Sequence, residues 1–148
     1  MKFKDLLSVF KDGSKDNSPG HIRSHMKNLL EIAMVDGHFD DSEFDLLKKL
    51  AQKYDISEDE LTSIRDNPSD IEFEIPEDDS EKFEQFYELI QMMMADKKIF
   101  EEEMNLCTIF GRKFGYNNAR RISEVIVQYI KDGLNMESTM NNIDYLLH

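Results

Sequence analysis

The sequence predicts an all-α fold, a multihelical single domain built from two pseudo-symmetric halves. The first observation behind this prediction is an internal repeat, because residues 29–57 align without a gap on residues 89–117. The second is periodicity, since apolar residues in both copies recur every three or four positions, as on one face of a helix. A repeat of this length is typical of a duplicated supersecondary unit whose copies cover each other's apolar faces. The identical residues are Leu29, Met34, Asp36, Glu43, Leu46 and Lys53 in the first copy and Leu89, Met94, Asp96, Glu103, Leu106 and Lys113 in the second.

The predicted organisation is an N-terminal segment, residues 1–20, followed by one helical domain, residues 21–148. The segment contains a short helix, about residues 3–10, and then a linker rich in Gly, Ser, Asp, Asn and Pro. The repeat halves of the domain occupy about 22–66 and 80–132. Because the repeat has no gap, we expect residues 22–57 and 82–117 to superpose as two helix–turn–helix units about a pseudo-two-fold axis.

The first half is predicted to contain three helices. The first runs from about His21 to Val35, and Gly37 ends it. The second begins after Asp40, and the third opens at an S-x-x-E capping box, Ser57 with Glu60, and ends before Pro68. The predicted inward side chains are Ile22, Met26, Leu29, Leu30, Ala33 and Met34 in the first helix and Phe44, Leu47, Leu50, Ala51 and Tyr54 in the second.

Residues 70–76 alternate between acidic and apolar side chains, a pattern that alone indicates a strand. The rest of the sequence offers this strand no partner, so we predict an extended connector that buries Ile71, Phe73 and Ile75. Replacing a fully enclosed Phe73 by Ala would then cost about 3–5 kcal/mol.

The second half is predicted to begin at an N-cap on Asp79 or Ser80. Two helices repeat the first half, and a further helix spans about residues 118–132 before Gly133. A last helix is predicted from about Ser138 to Leu147. The expected inward side chains are Phe83, Phe86, Tyr87, Ile90, Met93 and Met94, then Met104, Cys107, Phe110 and Phe114, then Ile122, Val125, Ile126, Tyr129 and Ile130.

Charge and composition restrict the class of partner. The net charge is −13, and residues 58–84 hold 12 acidic residues against Arg65 and Lys82. A surface this acidic repels phosphate backbones, so we expect no nucleic-acid partner but allow a basic or hydrophobic protein, or a divalent cation. The sequence has no run of 18 apolar residues, which argues against membrane insertion. The single cysteine, Cys107, fits a reducing cytoplasm and a small buried side chain.

The segment that follows the first long helix resembles half of a calcium loop. When Gly37 is aligned with the sixth position of an EF-hand, Glu43 falls on the twelfth and Asp36 on the fifth. Ile32 and Met34 then occupy the first and third positions, where a side-chain oxygen is required. The sequence therefore excludes an ordinary EF-hand.

Two accounts of these acidic residues stay open. Asp40 and Glu43 have the spacing of an N-cap and its third helical residue, which predicts a reciprocal cap. Asp36 and Asp96 are each predicted at a helix C-terminus, where a carboxylate meets the negative end of the helix dipole. Their compensating partner is either the free amides of the next helix or a bound cation.

The histidines give weaker indications of a metal site. His21 and His25 are four residues apart, but no third metal ligand is identifiable, so we predict two partly exposed histidines. His38 is nearer to the acidic segment and would add a nitrogen ligand or a pH response. The sequence contains no Gly-rich phosphate loop, Ser-His-Asp set or C-x-x-C pair, and we predict that the protein is not an enzyme.

The two acidic segments follow the patterns A-x-x-D-G-x-[apolar]-x-x-x-E and A-D-x-x-[apolar]-x-x-x-E. Together with the proline-containing connector, this layout resembles the TerB-like family over about residues 22–132. The resemblance implies a multihelical fold of two similar halves, encoded in bacteria beside tellurite-resistance and stress-response systems. Related modules serve as interaction domains in membrane-anchored J-domain co-chaperones, a metal-binding role has been proposed for the acidic motifs, and no enzymatic activity is implied.

By this resemblance, the positions that match the motif are Asp36, Gly37 and Glu43 in the first half and Asp96 and Glu103 in the second. Lys97 departs from the pattern because it stands where the first copy has Gly37, and Lys98 follows it. Two ammonium groups beside Asp96 weaken any cation site in the second half.

Two hypotheses of different class follow. The first is a non-catalytic, stress-linked module that binds a divalent cation through Asp36, Glu43 and Asp40, with Asp96 and Glu103 as the weaker second pair. The second is a protein-interaction adaptor that binds no metal and uses its acidic surface, including residues 58–84, to dock a basic or hydrophobic partner.

Overall fold

The computed structural model describes residues 19–35, 37, 39–95 and 98–147. These residues form α-helices and short 3-10 helices without any strand, which confirms the predicted all-α class. No helix among them is long and apolar enough to cross a membrane. The predicted N-terminal helix and nearly all of the linker lie outside the described residues. The α-helices are α1 (Gly20–Met34), α2 (Asp41–Lys53), α3 (Glu58–Asp66), α4 (Asp79–Met94), α5 (Glu101–Lys113), α6 (Ala119–Lys131) and α7 (Met136–Ile143), and the 3-10 helices are Pro68–Asp70 and Asp144–Leu146.

The repeat is visible in the helix boundaries. The first and last residues of α2 are each 60 positions before those of α5, and α1 and α4 end at the equivalent residues Met34 and Met94. The same apolar spacing therefore produces the same helices in both copies. The predicted pseudo-two-fold superposition stays a prediction.

The ends of α2 and α5 are also equivalent. Asp55 has φ 59°, and Gly115, 60 residues later, has φ 97°. The amide of Ile56 donates to the Ala51 carbonyl at 2.8 Å, and the amide of Tyr116 donates to the Gly111 carbonyl at 2.9 Å. This six-to-one bond around a left-handed residue is the Schellman motif, which ends a helix and uses its free carbonyls.

Helix starts follow local capping chemistry. The Ser57 hydroxyl accepts a bond from the Glu60 amide at 3.1 Å, as the S-x-x-E spacing predicts. The predicted caps on Asp79 or Ser80 are wrong, because Asp78 has the extended backbone of an N-cap and its carboxylate accepts from the Glu81 amide. The last helix also begins earlier than predicted, at Met136, since the preceding Asn135 caps it.

The chain divides into two compact units, and these do not follow the repeat boundaries. The first unit contains the described residues up to Leu30 together with Leu47–Glu74. Within it His25 is fully buried, with its ring edge-on to Tyr54 at 5.6 Å between centroids. The prediction that His25 is partly exposed is therefore wrong, because its side chain is buried and packs against the Tyr54 ring.

The second unit contains Glu31–Leu46 and the residues from Ile75 onward. Its core includes Phe86, whose ring meets Phe114 edge-on at 6.2 Å. A Cβ atom on Gly111 would lie 2.9 Å from the Ala119 Cβ and 2.9 Å from Phe86, so the glycine permits close packing of α5 on α6. Cys107 is buried, as predicted.

Residues 72–76 belong to no helix or strand, and only part of the connector is buried, which corrects the predicted burial of its apolar side chains. Ile75 is 40% exposed, Ile71 and Phe73 are half-buried, and Pro76 is buried. The segment is held through its backbone instead. The Ser24 hydroxyl accepts from the Glu74 amide at 2.9 Å, and Lys27 Nζ donates to the Ile71 carbonyl at 3.3 Å.

Candidate functional site

The acidic segment before α2 forms a reciprocal capping box. The Asp40 amide donates to Glu43 Oε1 at 3.1 Å, and the Glu43 amide donates to Asp40 Oδ1 at 3.0 Å. The Ser42 hydroxyl donates to the same Asp40 oxygen at 2.8 Å. The capping account of this pair is therefore confirmed, and these bonds satisfy two amides at the start of α2.

The hydrogen bonds of the cap favour the charged form of the Asp40 carboxylate. The pKa of Asp40 is lowered, first by the hydrogen bond from the Glu43 amide and then by the one from the Ser42 hydroxyl. Because Asp40 is exposed, its negative charge is presented to solvent beside the first turn of α2.

The second copy keeps half of this arrangement. Phe100 stands where the first copy has Asp40, so it has no side-chain acceptor for the Glu103 amide. Its own amide still donates to Glu103 Oε1 at 3.3 Å. The glutamate therefore accepts the same backbone hydrogen bond in both copies, whether the N-cap residue is Asp40 or Phe100.

The structure describes only some of the predicted metal ligands. Asp36, His38 and Asp96 lie outside the described residues. Glu43 is 1% exposed and Glu103 is fully buried. A cation site formed by Asp36 and Glu43 would require both carboxylates to be at least partly accessible, and the burial of Glu43 weighs against it. The residues that the structure describes contain no group of three or more His, Cys, Asp or Glu side chains able to hold a metal ion. Cation binding through Asp36, Asp40 and Glu43 stays a prediction.

The same segment also carries exposed apolar side chains, which the sequence did not predict. Met34 and Phe44, both predicted to face inward, are 48% and 44% exposed, which corrects those predictions. Val35 and Phe39 are also more than a third exposed. The Phe39 and Phe44 rings meet edge-on at 5.9 Å. We call Met34, Val35, Phe39 and Phe44 the first-turn patch.

The repeat offers an internal comparison for the first-turn patch. Phe44 is equivalent to Met104, which is only 7% exposed. In the second copy, the segment between α4 and α5 exposes Ile99 and Phe100 instead. We call this segment the second turn, and the segment between α1 and α2 the first turn. Of the nine large apolar side chains that are exposed in the described part of the chain, six lie in or beside these two turns, four of them in the first-turn patch. Exposed apolar surface is therefore concentrated at the turns.

A cleft of about 430 Å³ lies at the N-terminal end of α4. Its lining includes Asp79, Lys82 and Tyr116. Lys82 Nζ lies 3.7 Å from Asp79 Oδ1, so the charges of Lys82 and Asp79 pair with each other. The same ammonium group lies 5.4 Å from the centre of the Tyr116 ring. Burial, and then the charge of Asp79, raises the pKa of Tyr116, which keeps its phenol neutral.

Comparison of the chain with protein-family models, with curated proteins and with solved structures gave no match.

Proposed function

We propose that this protein is a non-catalytic module of the TerB-like type that acts by binding a protein partner. The observation that carries this proposal is the first-turn patch. Soluble proteins expose scattered apolar side chains routinely, but apolar residues gathered within a short segment and rimmed by polar groups are typical of interaction sites. Here two aromatic rings are in mutual contact and exposed, next to a capped helix start that fixes their position.

Two further features support a role in recognition. Aromatic side chains bring a large contact area at a small cost in conformational entropy, which makes them common anchors in protein interfaces. The reciprocal cap also pre-organises the backbone between Phe39 and Phe44, so less ordering is needed when a partner binds.

The test is a selection of peptides from a random displayed library. The wild-type protein is the target, and a Phe39→Ser/Phe44→Ser variant is the counter-target. An Ile99→Ser/Phe100→Ser variant is the matched control because it removes two similarly exposed apolar side chains from the second turn. Circular dichroism verifies that each variant is folded.

We expect peptides that bind the wild type and the control variant but not the Phe39→Ser/Phe44→Ser variant. If repeated selections yield no peptide that depends on the first-turn patch, the interaction proposal is wrong.

Divalent-cation binding is the second candidate function. The Asp40 carboxylate favours it, because this acidic group is exposed next to the acidic motif. The burial of Glu43 weighs against it, because its carboxylate has lost water access and supports the cap.

A further inference from the structure

We propose that the first-turn patch binds a basic amphipathic helix of a partner protein. This inference rests on the proposed function, and it adds the chemical class of the partner. It depends on which charges border the first-turn patch and on what the same position does in the second repeat.

The border of the first-turn patch is acidic. Asp40, Asp41 and Asp45 are exposed beside it. Residues 34–45 contain five acidic residues and no lysine or arginine, and the exposed Lys48 follows one helical turn after Phe44. A partner that buries Phe39 and Phe44 must therefore bring its own flanking groups close to several carboxylates. Lysine or arginine side chains would be attracted there, whereas acidic ones would be repelled.

The same charges argue against a second copy of this chain as the occupant. Two first-turn patches in contact would bring two sets of carboxylates together, and like charges across an interface oppose association. The net charge of −13 adds to this repulsion. A basic partner removes both penalties.

A helix is the form of partner that fits an apolar patch with an acidic border. In an amphipathic helix the apolar anchors recur at three and four residues, with charged side chains on either side of them. The described residues contain no strand whose edge an extended peptide would join.

The comparison between the repeats indicates why the first turn, and not the second, has this role. Met104 is buried where Phe44 is exposed. The second turn also has Lys98 next to Ile99, so its border is of mixed charge. Among the described residues of the two turns, only the first combines two contacting exposed rings with three exposed aspartates, Asp40, Asp41 and Asp45.

The experiment uses three labelled peptides and fluorescence anisotropy with the full chain. The probe is a leucine–lysine peptide with leucines at helical spacing. A second peptide replaces each lysine by glutamate, and a third scrambles the probe so that no apolar face forms. Each is titrated at low and at high ionic strength.

Three variants map the site. Phe44→Ser removes an anchor, and we expect it to weaken binding of the probe by about thirtyfold. Asp41→Asn/Asp45→Asn removes two charges without touching the cap, and we expect roughly three- to tenfold weaker binding at low ionic strength and a smaller salt dependence. Ile109→Ser, which changes an equally exposed side chain of α5, should leave binding unchanged.

The partner class is wrong if the glutamate or scrambled peptide binds as well as the probe. It is also wrong if Phe44→Ser leaves the affinity unchanged, since the probe is then held by another acidic surface such as residues 58–84. Dimerisation that depends on Phe44, measured by sedimentation, would assign the first-turn patch to a second copy. After any of these results, the proposed function would still stand if the library selection yields peptides that depend on the first-turn patch. If that selection fails, both the proposed function and the partner class are wrong.

Discussion

Glu43 is a buried carboxylate at the start of a helix, and its hydrogen bond explains why it is there. It accepts from the Asp40 amide, and the equivalent Glu103 accepts from the Phe100 amide. The spacing of Asp40 and Glu43 was sufficient to predict this cap, because it depends only on local backbone geometry. Burial of the same carboxylate was not predictable, since it depends on residues distant in sequence.

The cap leads to a prediction about Glu43. Glu43→Ala leaves the Asp40 amide without its acceptor and should lower the free energy of unfolding by about 1–3 kcal/mol. Glu43→Gln should cost less, because the amide oxygen of glutamine can accept the same bond. Urea denaturation at neutral pH measures both, with Asp41→Ala as the control for loss of an acid outside the cap. Equal losses for the Ala and Gln variants would contradict the capping role.

Cys107 should give the stability a measurable pH dependence. Burial, and then the charge of Glu103, raises the pKa of the Cys107 thiol. An unfolded cysteine releases its proton above about pH 8.5, whereas the folded protein keeps it. The free energy of unfolding should therefore fall as the pH rises beyond this value, by at most about 1.4 kcal/mol per pH unit.

The variant Cys107→Ala isolates this contribution. It should be less stable than the wild type at neutral pH, because it leaves a cavity, and its stability should vary less between pH 8 and pH 9.5. Denaturation curves across that range provide the comparison. A wild type and a variant with the same pH dependence would show that the thiol does not contribute.

At the scale of the helix, periodicity predicted where the helices lie, but it did not predict which apolar side chains near their ends are exposed. The ungapped repeat predicted that α2 and α5 would be equivalent, and their boundaries agree. Phe44 lies on the same helical face as Leu47, which is buried, and yet Phe44 is exposed. Periodicity identifies the side of a helix that carries apolar residues, but it cannot indicate how far a neighbouring element extends to cover that side.

The connector shows a related limit. Alternating residues predict an extended segment, and residues 72–76 form no helix or strand, but the burial of such a segment depends on what it packs against. Two polar side chains of α1, Ser24 and Lys27, bond its backbone. Sequence patterns of apolar residues contain no information about such bonds, and this is why Ile75 was wrongly predicted to be buried.

We therefore expect the connector's backbone bonds to matter as much as its side chains. Phe73→Ala should cost about 1–2 kcal/mol, less than for a fully enclosed ring, because Phe73 is only half-buried. Ser24→Ala should cost about 1 kcal/mol and should speed hydrogen exchange at the Glu74 amide. Ile75→Ala should be nearly neutral, which provides the control. A large loss with Ile75→Ala or an unchanged Glu74 exchange rate would contradict this view of the connector.

For the whole molecule, charge is the property that links stability to function. A net charge of −13 disfavours the compact state through self-repulsion, and salt should relieve part of this repulsion. The same charge favours basic partners over acidic ones. Any cation will consequently raise stability to some degree, so a specific cation site must be distinguished from screening.

The last prediction makes that distinction. If a divalent cation binds the native state alone, it should raise the free energy of unfolding by about 2.7 kcal/mol at 100 times its dissociation constant. Melting with calcium, magnesium, zinc and manganese, with chelator and with sodium chloride at matched ionic strength separates this increment from screening. Asp36→Asn should abolish it with little change in the metal-free protein, whereas Asp41→Asn, which removes the same charge, should retain it. If the wild type instead melts identically at matched ionic strength in every cation, Asp36 and Asp40 hold no ion. The adaptor hypothesis, in which the acidic residues serve the cap and attract a basic partner, then takes the place of the cation hypothesis.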